Sequence, residues 1–402
     1  MPFEQDVEIA VVGAGITGLA MALALARANA GTGAEVALLA AAPLPTSRAE
    51  AADGRTAALL MPAIGLLTRL GVFDPTGLGA EPLYRLRIVG GSGKGAAEGT
   101  ALTFDAAELG MEAFGWNIPN ATLAARLAAA VGRTAGIAVH AGAPLQNVTE
   151  AGDRLLLEAG DTRLAARLVI GADGRDSMVR ETAGITTTQR DHGQTAIVCR
   201  FAHTKPHRNI STELHRQGGP FTMVPLPGRN SSLVWVDRTA ESEARLDLDD
   251  DAFREAMAPL AEPWLGPIGA LSRRHAYPIR ARLAKALTAP RRALVGEAAH
   301  VMSPLGAQGL NLSLRDVATL AGLLAAHPGD PGDPALLAAY AEARAVDIKA
   351  RFWGIDTLNH MVMQSLPPFR LASSLALGLL DRLPPARRAL MQGMMEGVPD
   401  GL

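Results

Sequence analysis

The residues best placed to do chemistry in this chain are mostly small ones. Gly13-Ala14-Gly15-Ile16-Thr17-Gly18 stands between a β-rich run, residues 7–12, and an Ala/Leu-rich run, residues 16–27. A G-x-G-x-x-G between strand and helix binds a dinucleotide. Gly13 permits the tight turn, Gly15 lets backbone approach a pyrophosphate, and Gly18 lets helix pack close to strand. The phosphates then sit at the helix N-terminus, where free N–H groups and the dipole favour negative charge. Two further turns stand at the ends of apolar runs, Gly171-Ala172-Asp173-Gly174 and Gly296-Glu297-Ala298-Ala299-His300. His300 is either a base or a structural histidine within its turn. His203 and His207 have the i,i+4 spacing of a metal pair, but Pro206 keeps them out of an ordinary helix interior, and no Cys/His cluster stands elsewhere. No metal is expected. Cys199, the only cysteine, reads as a small buried hydrophobe rather than a nucleophile.

The elements that must hold these turns follow from local patterning. Residues 35–40 (EVALLA) form the second strand of the nucleotide fold, and Ala40-Ala41-Ala42 stand where an acid usually holds the adenosine ribose. Asp53-Gly54-Arg55-Thr56 precedes a largely helical stretch, residues 57–70, ended by Gly71. A strand over 84–89 leads into Gly90–Gly95, a flexible turn rather than a phosphate loop, because Lys94 is followed by Gly95 and not by Ser or Thr. Residues 121–131 are helical. The buried strand 166–170 enters the Asp173-Gly174 turn, and Ser177 and Arg180 follow at the head of a short helix. Residues 195–240 alternate like antiparallel strands, notably 221–224 and 232–236 around Pro227-Gly228-Arg229-Asn230. Phe221, Met223, Pro225 and Trp235 on these strands either line a substrate pocket or fill the core. A strand over 292–295 precedes a helix that runs to about residue 326, and the rest is proline-punctuated helix.

Length and charge bound the alternatives. The chain has 402 residues, 48 % hydrophobic and 4 % aromatic, with 38 Lys+Arg against 40 Asp+Glu. That suits two or three domains and excludes a strong basic field, so nucleic acid is not an expected partner. The lone cysteine fits a reducing compartment. The uncharged run 9–26 has the length of a membrane span, but the acidic Glu4, Asp6 and Glu8 before it and the glycine motif inside it give a buried strand and helix instead. In the C-terminal tail, residues 369–395, leucines alternate with Arg370, Arg382, Arg387 and Arg388. That segment either lies on a membrane surface or packs on the parent domain. The expected location is cytoplasmic, at most peripheral to the inner membrane.

With the three motifs in this order, the chain resembles the single-component flavoprotein aromatic hydroxylases, and within them the ubiquinone-biosynthesis hydroxylases. AAHVMSPLGAQGLNLSLRD (residues 298–316) and GGPFTMVPLPGRNSSLVW (residues 218–235) carry the likeness most specifically. The resemblance implies an α/β fold: an FAD-binding Rossmann-type domain of the p-hydroxybenzoate-hydroxylase kind, interleaved with a mixed-sheet substrate domain and followed by a helical tail. The corresponding segments are 1–75, 113–185 and 277–330 for FAD, 76–112 and 186–276 for substrate, and 331–402 for the tail. It implies that Gly13, Gly15 and Gly18 hold the FAD pyrophosphate, that Asp173 and Gly174 lie beside FAD and a transient NAD(P)H, and that Arg55 lies near the flavin. Glu297 stands where the family has Asp on the ribityl chain. Gly306, Ala307 and Gln308 would face the flavin pyrimidine edge, with Asn311 completing that turn and Pro304 on the substrate side. The implied reaction is hydroxylation of a polyprenylated phenol in ubiquinone biosynthesis, using O2 through a C4a-hydroperoxyflavin. The alternatives are a small soluble phenol as substrate, or a non-catalytic subunit of a ubiquinone-making assembly, because Ala40 and Glu297 depart from the family pattern. The catalytic residues are not assigned.

Overall fold

The computed structural model describes residues 5–28, 35–46, 54–90, 100–303, 308–363 and 383–395. Two large sheets organise them. The first has eight strands, with a parallel centre in which Gln5–Val12 lies between Thr162–Gly171 and Val36–Ala40. Ile137–Ala141 extends it beyond Val36–Ala40, and Arg292–Leu294 pairs in parallel with the end of Thr162–Gly171. Val36–Ala40 is fully buried, as continuous apolar strands of a covered parallel sheet must be.

The apolar run at the N-terminus resolves into the strand Gln5–Val12 and the helix Ile16–Ala28. That helix buries every residue from Gly18 to Leu25, against the helices Gln308–Ala326 and Asn120–Val131. Its Leu19, Leu23 and Leu25 are at most 1 % exposed, each worth about 1.5–3 kcal/mol of burial. Among the described residues, no helix is long and apolar enough to cross a membrane.

The second sheet has nine strands and is mostly antiparallel. Thr187–His203 pairs with Asn230–Arg238 on one side and His275–Ala284 on the other. Phe221–Leu226, Ile210–Leu214, Arg85–Gly90 and Thr100–Asp105 continue it outward. The helix Asp250–Leu265 covers one face, and Phe253, Met257 and Leu265 pack there on Ile197, Cys199, Phe201 and Leu233.

One expectation fails locally. Residues 57–60 are not the start of a helix but part of the strand Thr56–Leu60, which pairs antiparallel with Gly115–Pro119. The helix is Met61–Arg69, with proline in its first turn. Pro62 lacks the N–H an interior helical position needs and suits a helix start, so it divides the Ala/Leu run in two.

The helix Pro334–Met363 and the helix Pro384–Met395 follow. The last packs on the substrate-side sheet: Met391 is buried with Leu60, Leu102, Phe104 and Phe114, and Arg387 donates to Glu108 and to the carbonyl of Thr103. Residues 364–382 and 396–402 of the tail, and the Gly-rich turn at 91–95, lie outside the described residues.

Candidate active site

Parallel pairing brings the three motifs to one edge. Gly171 is in register with Val12 on one side and with Leu294 on the other, so the segments that begin at Gly13, Ala172 and Val295 leave the sheet side by side. In open α/β sheets, ligands bind beyond the carboxyl ends of the strands. Backbone bonds lock the crest: Gly13 donates to the carbonyl of Leu39, Ala172 to that of Val12, and Val295 to that of Gly171, all at 2.8–2.9 Å.

The three glycines of the first motif do different work. A Cβ on Gly13, whose φ is +104°, would meet the carbonyl oxygen of Ala172 at 2.4 Å, and a Cβ on Gly18 would meet that of Gly13 at 1.8 Å. Both are packing glycines. Around a Cβ on Gly15 there is open space to 4 Å, immediately before the first turn of Ile16–Ala28. This is the cradle a pyrophosphate needs, with unpaired helix N–H groups behind it.

Asp173 lies in the second turn. One of its carboxylate oxygens accepts from the backbone N–H of Val179 at 3.2 Å, while Oδ1 is buried with no partner. Burial raises its pKa above the ordinary carboxylate value, against the hydrogen bonds from Ser177 and Val179. Ser177 also caps the short helix Met178–Thr182 by accepting from the N–H of Arg180. Glu297 is half exposed and lies 3.7 Å from Arg175, bridging the second and third turns at the rim. An exposed pair of this kind contributes no more than about 1 kcal/mol. Ala40, where the ribose acid is missing, is 1 % exposed at the end of its strand.

Arg55 stands just before Thr56–Leu60, its guanidinium 5.3 Å from the ring centre of Tyr277. Asn120, whose N–H donates to the carbonyl of Arg55, has a buried and unpartnered Oδ1. Like Asp173 Oδ1, it is an acceptor that a ligand hydroxyl or amide could satisfy. Asn120 escaped sequence reasoning because it stands just before the helical run read over 121–131. An orphaned buried acceptor shows only in three dimensions. The open space at Gly15 fits a pyrophosphate, and the unpartnered oxygens of Asp173 and Asn120 fit hydroxyl or amide donors such as FAD carries.

Asn311 is buried near the start of the helix Gln308–Ala326. Its Oδ1 accepts from the N–H of Leu60 at 2.8 Å and its Nδ2 donates to the carbonyl of Ala58 at 2.9 Å, clamping the helix Gln308–Ala326 to the strand that follows Arg55. Gln308 is buried and accepts from Arg351 at 2.8 Å. Pro304, Gly306 and Ala307 lie outside the described residues.

The substrate-side strands expose their sidedness. Phe221, Met223 and Trp235 sit in the core against Asp250–Leu265, with the Phe221 and Trp235 ring centres 5.1 Å apart. Ser232 faces the other way, its Oγ 2.9 Å from Thr56 Oγ1, and Asn117 Nδ2 donates to the main-chain carbonyl of Pro225 at 2.8 Å. Val224 stands opposite Ser232, and Val198 opposite Val234, so these valines share the face that looks toward Thr56. Neither His203 nor His207 offers a free ring nitrogen. His203 is bonded to the Lys205 carbonyl and Ser231, and His207 to the Leu226 carbonyl and the N–H of Asn209.

His300 is 2 % exposed and structural in its contacts, with Nε2 2.6 Å from Asp316 Oδ2. Asp316 is itself wholly buried. Its other oxygen accepts from Arg344 at 2.8 Å, and Arg344 continues to Asp347, which Arg315 and Arg351 also reach. Burial opposes ionisation of Asp316, but His300 and Arg344 outweigh it and hold the pKa below the ordinary value.

A family model described as FAD binding domain matches residues 6–351. The ubiquinone hydroxylase UbiL of Rhodospirillum rubrum is 33 % identical over 85 % of this chain and 80 % of its own length. The 3-demethoxyubiquinol 3-hydroxylase of Escherichia coli is 29 % identical over 94 % of this chain and 95 % of its own. The p-nitrophenol 4-monooxygenase PnpA of Pseudomonas putida has the same fold, with a TM-score of 0.79 at 18 % identity over 97 % of this chain and 99 % of its own. Three turns at one sheet edge, an open glycine cradle and this kinship agree: the chain belongs to the FAD-binding family of flavoprotein aromatic hydroxylases, in its ubiquinone-hydroxylase group.

Proposed function

We propose that this protein hydroxylates the aromatic ring of a polyprenylated phenol on the route to ubiquinone, using FAD, NAD(P)H and O2. The observation that carries the reading is the alignment of Gly13, Ala172 and Val295 at one sheet edge, in a chain whose relatives over most of its length include a ubiquinone hydroxylase and a 3-demethoxyubiquinol 3-hydroxylase. When bound, FAD supplies the redox and oxygen chemistry. The protein contributes binding, orientation and exclusion of water. Gly15 and the start of Ile16–Ala28 hold the pyrophosphate, Asp173 and Asn120 offer acceptors to the rest of the cofactor, and Arg55, over the ring of Tyr277, offers a cation to the flavin.

In this reading the eight-stranded sheet is the FAD domain and the nine-stranded sheet the substrate domain. Its inward face of Val198, Val224 and Val234 is aliphatic, with Ser232 and Thr56 as hydroxyls at its margin. Such a wall suits a ring carrying alkyl substituents and keeps water out. Leu383 and Leu390 are both 45 % exposed at the C-terminal helix with the exposed Arg388 beside them, which supports a peripheral contact with an anionic membrane surface.

The test is NAD(P)H oxidation by FAD-loaded protein. Stimulation by a short-chain prenylated phenol, and not by a soluble hydroxybenzoate, is expected. Stimulation by the hydroxybenzoate alone assigns a small soluble phenol instead, and a protein with no saturable FAD binding overturns the reading.

A further inference from the structure

The wholly buried carboxylate of Asp316 collects three donors from three elements. The N–H of Gly296 reaches Oδ2 at 2.9 Å, His300 Nε2 reaches the same oxygen at 2.6 Å, and Arg344 Nε reaches Oδ1 at 2.8 Å. Gly296 is the residue before Glu297 in the third crest turn, and its φ is +63°. A Cβ there would stand 3.0 Å from Thr17 of the glycine motif and 3.2 Å from Ser313. The turn is therefore wedged between the two helices that flank the crest, and its N–H is pinned from behind. The hydrogen bond to the carboxylate also fixes the imidazole: Nε2 carries the proton, and Nδ1 is buried without a partner.

A buried ion pair is poor value as a source of stability, since well-packed apolar side chains usually serve a core as well. What a carboxylate alone can do here is accept all three donors at once. We infer that Asp316, with His300 and Arg344, positions the Gly296–Glu297 turn against FAD, and that the helix Pro334–Met363 is thereby part of the cofactor site although it lies behind it. Arg344 extends the tie to Asp347, Asp347 to Arg351, and Arg351 to Gln308 at the start of Gln308–Ala326, so two segments expected to touch the flavin share one support. The inference rests on FAD occupying the crest.

His300→Leu and His300→Gln separate positioning from bulk stability, because Gln keeps an N–H donor for Asp316 and Leu does not. FAD affinity is measured on the full chain by quenching of flavin fluorescence, at a temperature where circular dichroism shows each apoprotein folded. Asp330→Asn serves as control, because it breaks the Arg291 and Arg167 ion pairs at the opposite end of the strand Arg292–Leu294. His300→Leu should weaken FAD binding about ten-fold, the equivalent of one charge-assisted hydrogen bond, and alter the fine structure of the bound flavin spectrum. His300→Gln should restore both, and Asp316→Asn, where it folds, should weaken FAD further. Equal FAD affinity in the Leu variant, the Gln variant and the wild type overturns the inference. So does an equal loss of FAD affinity in the Asp330→Asn control. A wild type that binds no FAD overturns the FAD reading itself and this inference with it.

Discussion

Gly15 and Gly18 sit three residues apart in one motif, yet substitution should separate their roles cleanly. Around a Cβ on Gly15 there is open space to 4 Å, so Gly15→Val should leave the apoprotein within about 1 kcal/mol of wild type, the ordinary scale for a residue beside a helix cap. What it fills is the cradle. Two charge-assisted hydrogen bonds to a pyrophosphate are worth about 1.5–3 kcal/mol each, and the helix end adds about 0.3–1 kcal/mol. Losing most of that weakens FAD binding by at least about 100-fold, at about 1.4 kcal/mol per decade. Gly18→Ala does the reverse. Its Cβ would lie 1.8 Å from a backbone oxygen, which must move, so the apoprotein itself should lose about 3 kcal/mol or more. Urea unfolding of the apoproteins and FAD titration measure the two quantities. Tight FAD binding by Gly15→Val, or a Gly18→Ala apoprotein as stable as wild type, would refute the assignment of roles.

Asn311→Ala should cost about 2–4 kcal/mol, because it leaves the buried N–H of Leu60 and carbonyl of Ala58 unpaired, and urea midpoints will show it. Asp347 is held at about 2: burial pushes its pKa up, but hydrogen bonds from Arg351 and Arg344 prevail. A depressed folded-state pKa gives stability that is full above the ordinary 3.8 and lost as the pH falls through about 2; Asp347→Asn should flatten the stability profile in that window. Cys199 is fully buried and its thiol is pushed up to about 12 by burial, so a disulfide reagent at mildly alkaline pH should label it only after denaturation; fast labelling of the native protein contradicts that placement.

The nucleotide strand, its glycine turn and its helix were legible because the three glycines stand at a fixed spacing between an apolar run of strand length and one of helix length. The same holds for the Asp173 and Gly296 turns, which follow apolar runs long enough to be buried strands. The strand Thr56–Leu60 was not legible from its Ala/Leu composition. Its identity comes from pairing with Gly115–Pro119, although Pro62 marked the boundary. The face of Phe221, Met223 and Trp235 was equally hidden. Both faces of that sheet are covered, so alternation says which residues share a face but not which face looks toward the flavin. The hydrogen bond from Leu60 to the Asn311 amide spans 251 residues of sequence, so no local pattern displays it. The Asp316 node is least visible of all. His300, Asp316 and Arg344 are charged or titratable residues on separate elements, and only packing shows that they meet in direct, buried contact.

The proposed reaction inserts one oxygen atom from O2 into a prenylated phenol. Turnover of FAD-loaded protein with NAD(P)H, a short-chain prenylated phenol and 18O2, followed by mass spectrometry of the product, tests it directly. A hydroxylated ring carrying one labelled oxygen is expected. A product labelled only from water, or NAD(P)H consumption that yields hydrogen peroxide and unchanged phenol, would contradict it.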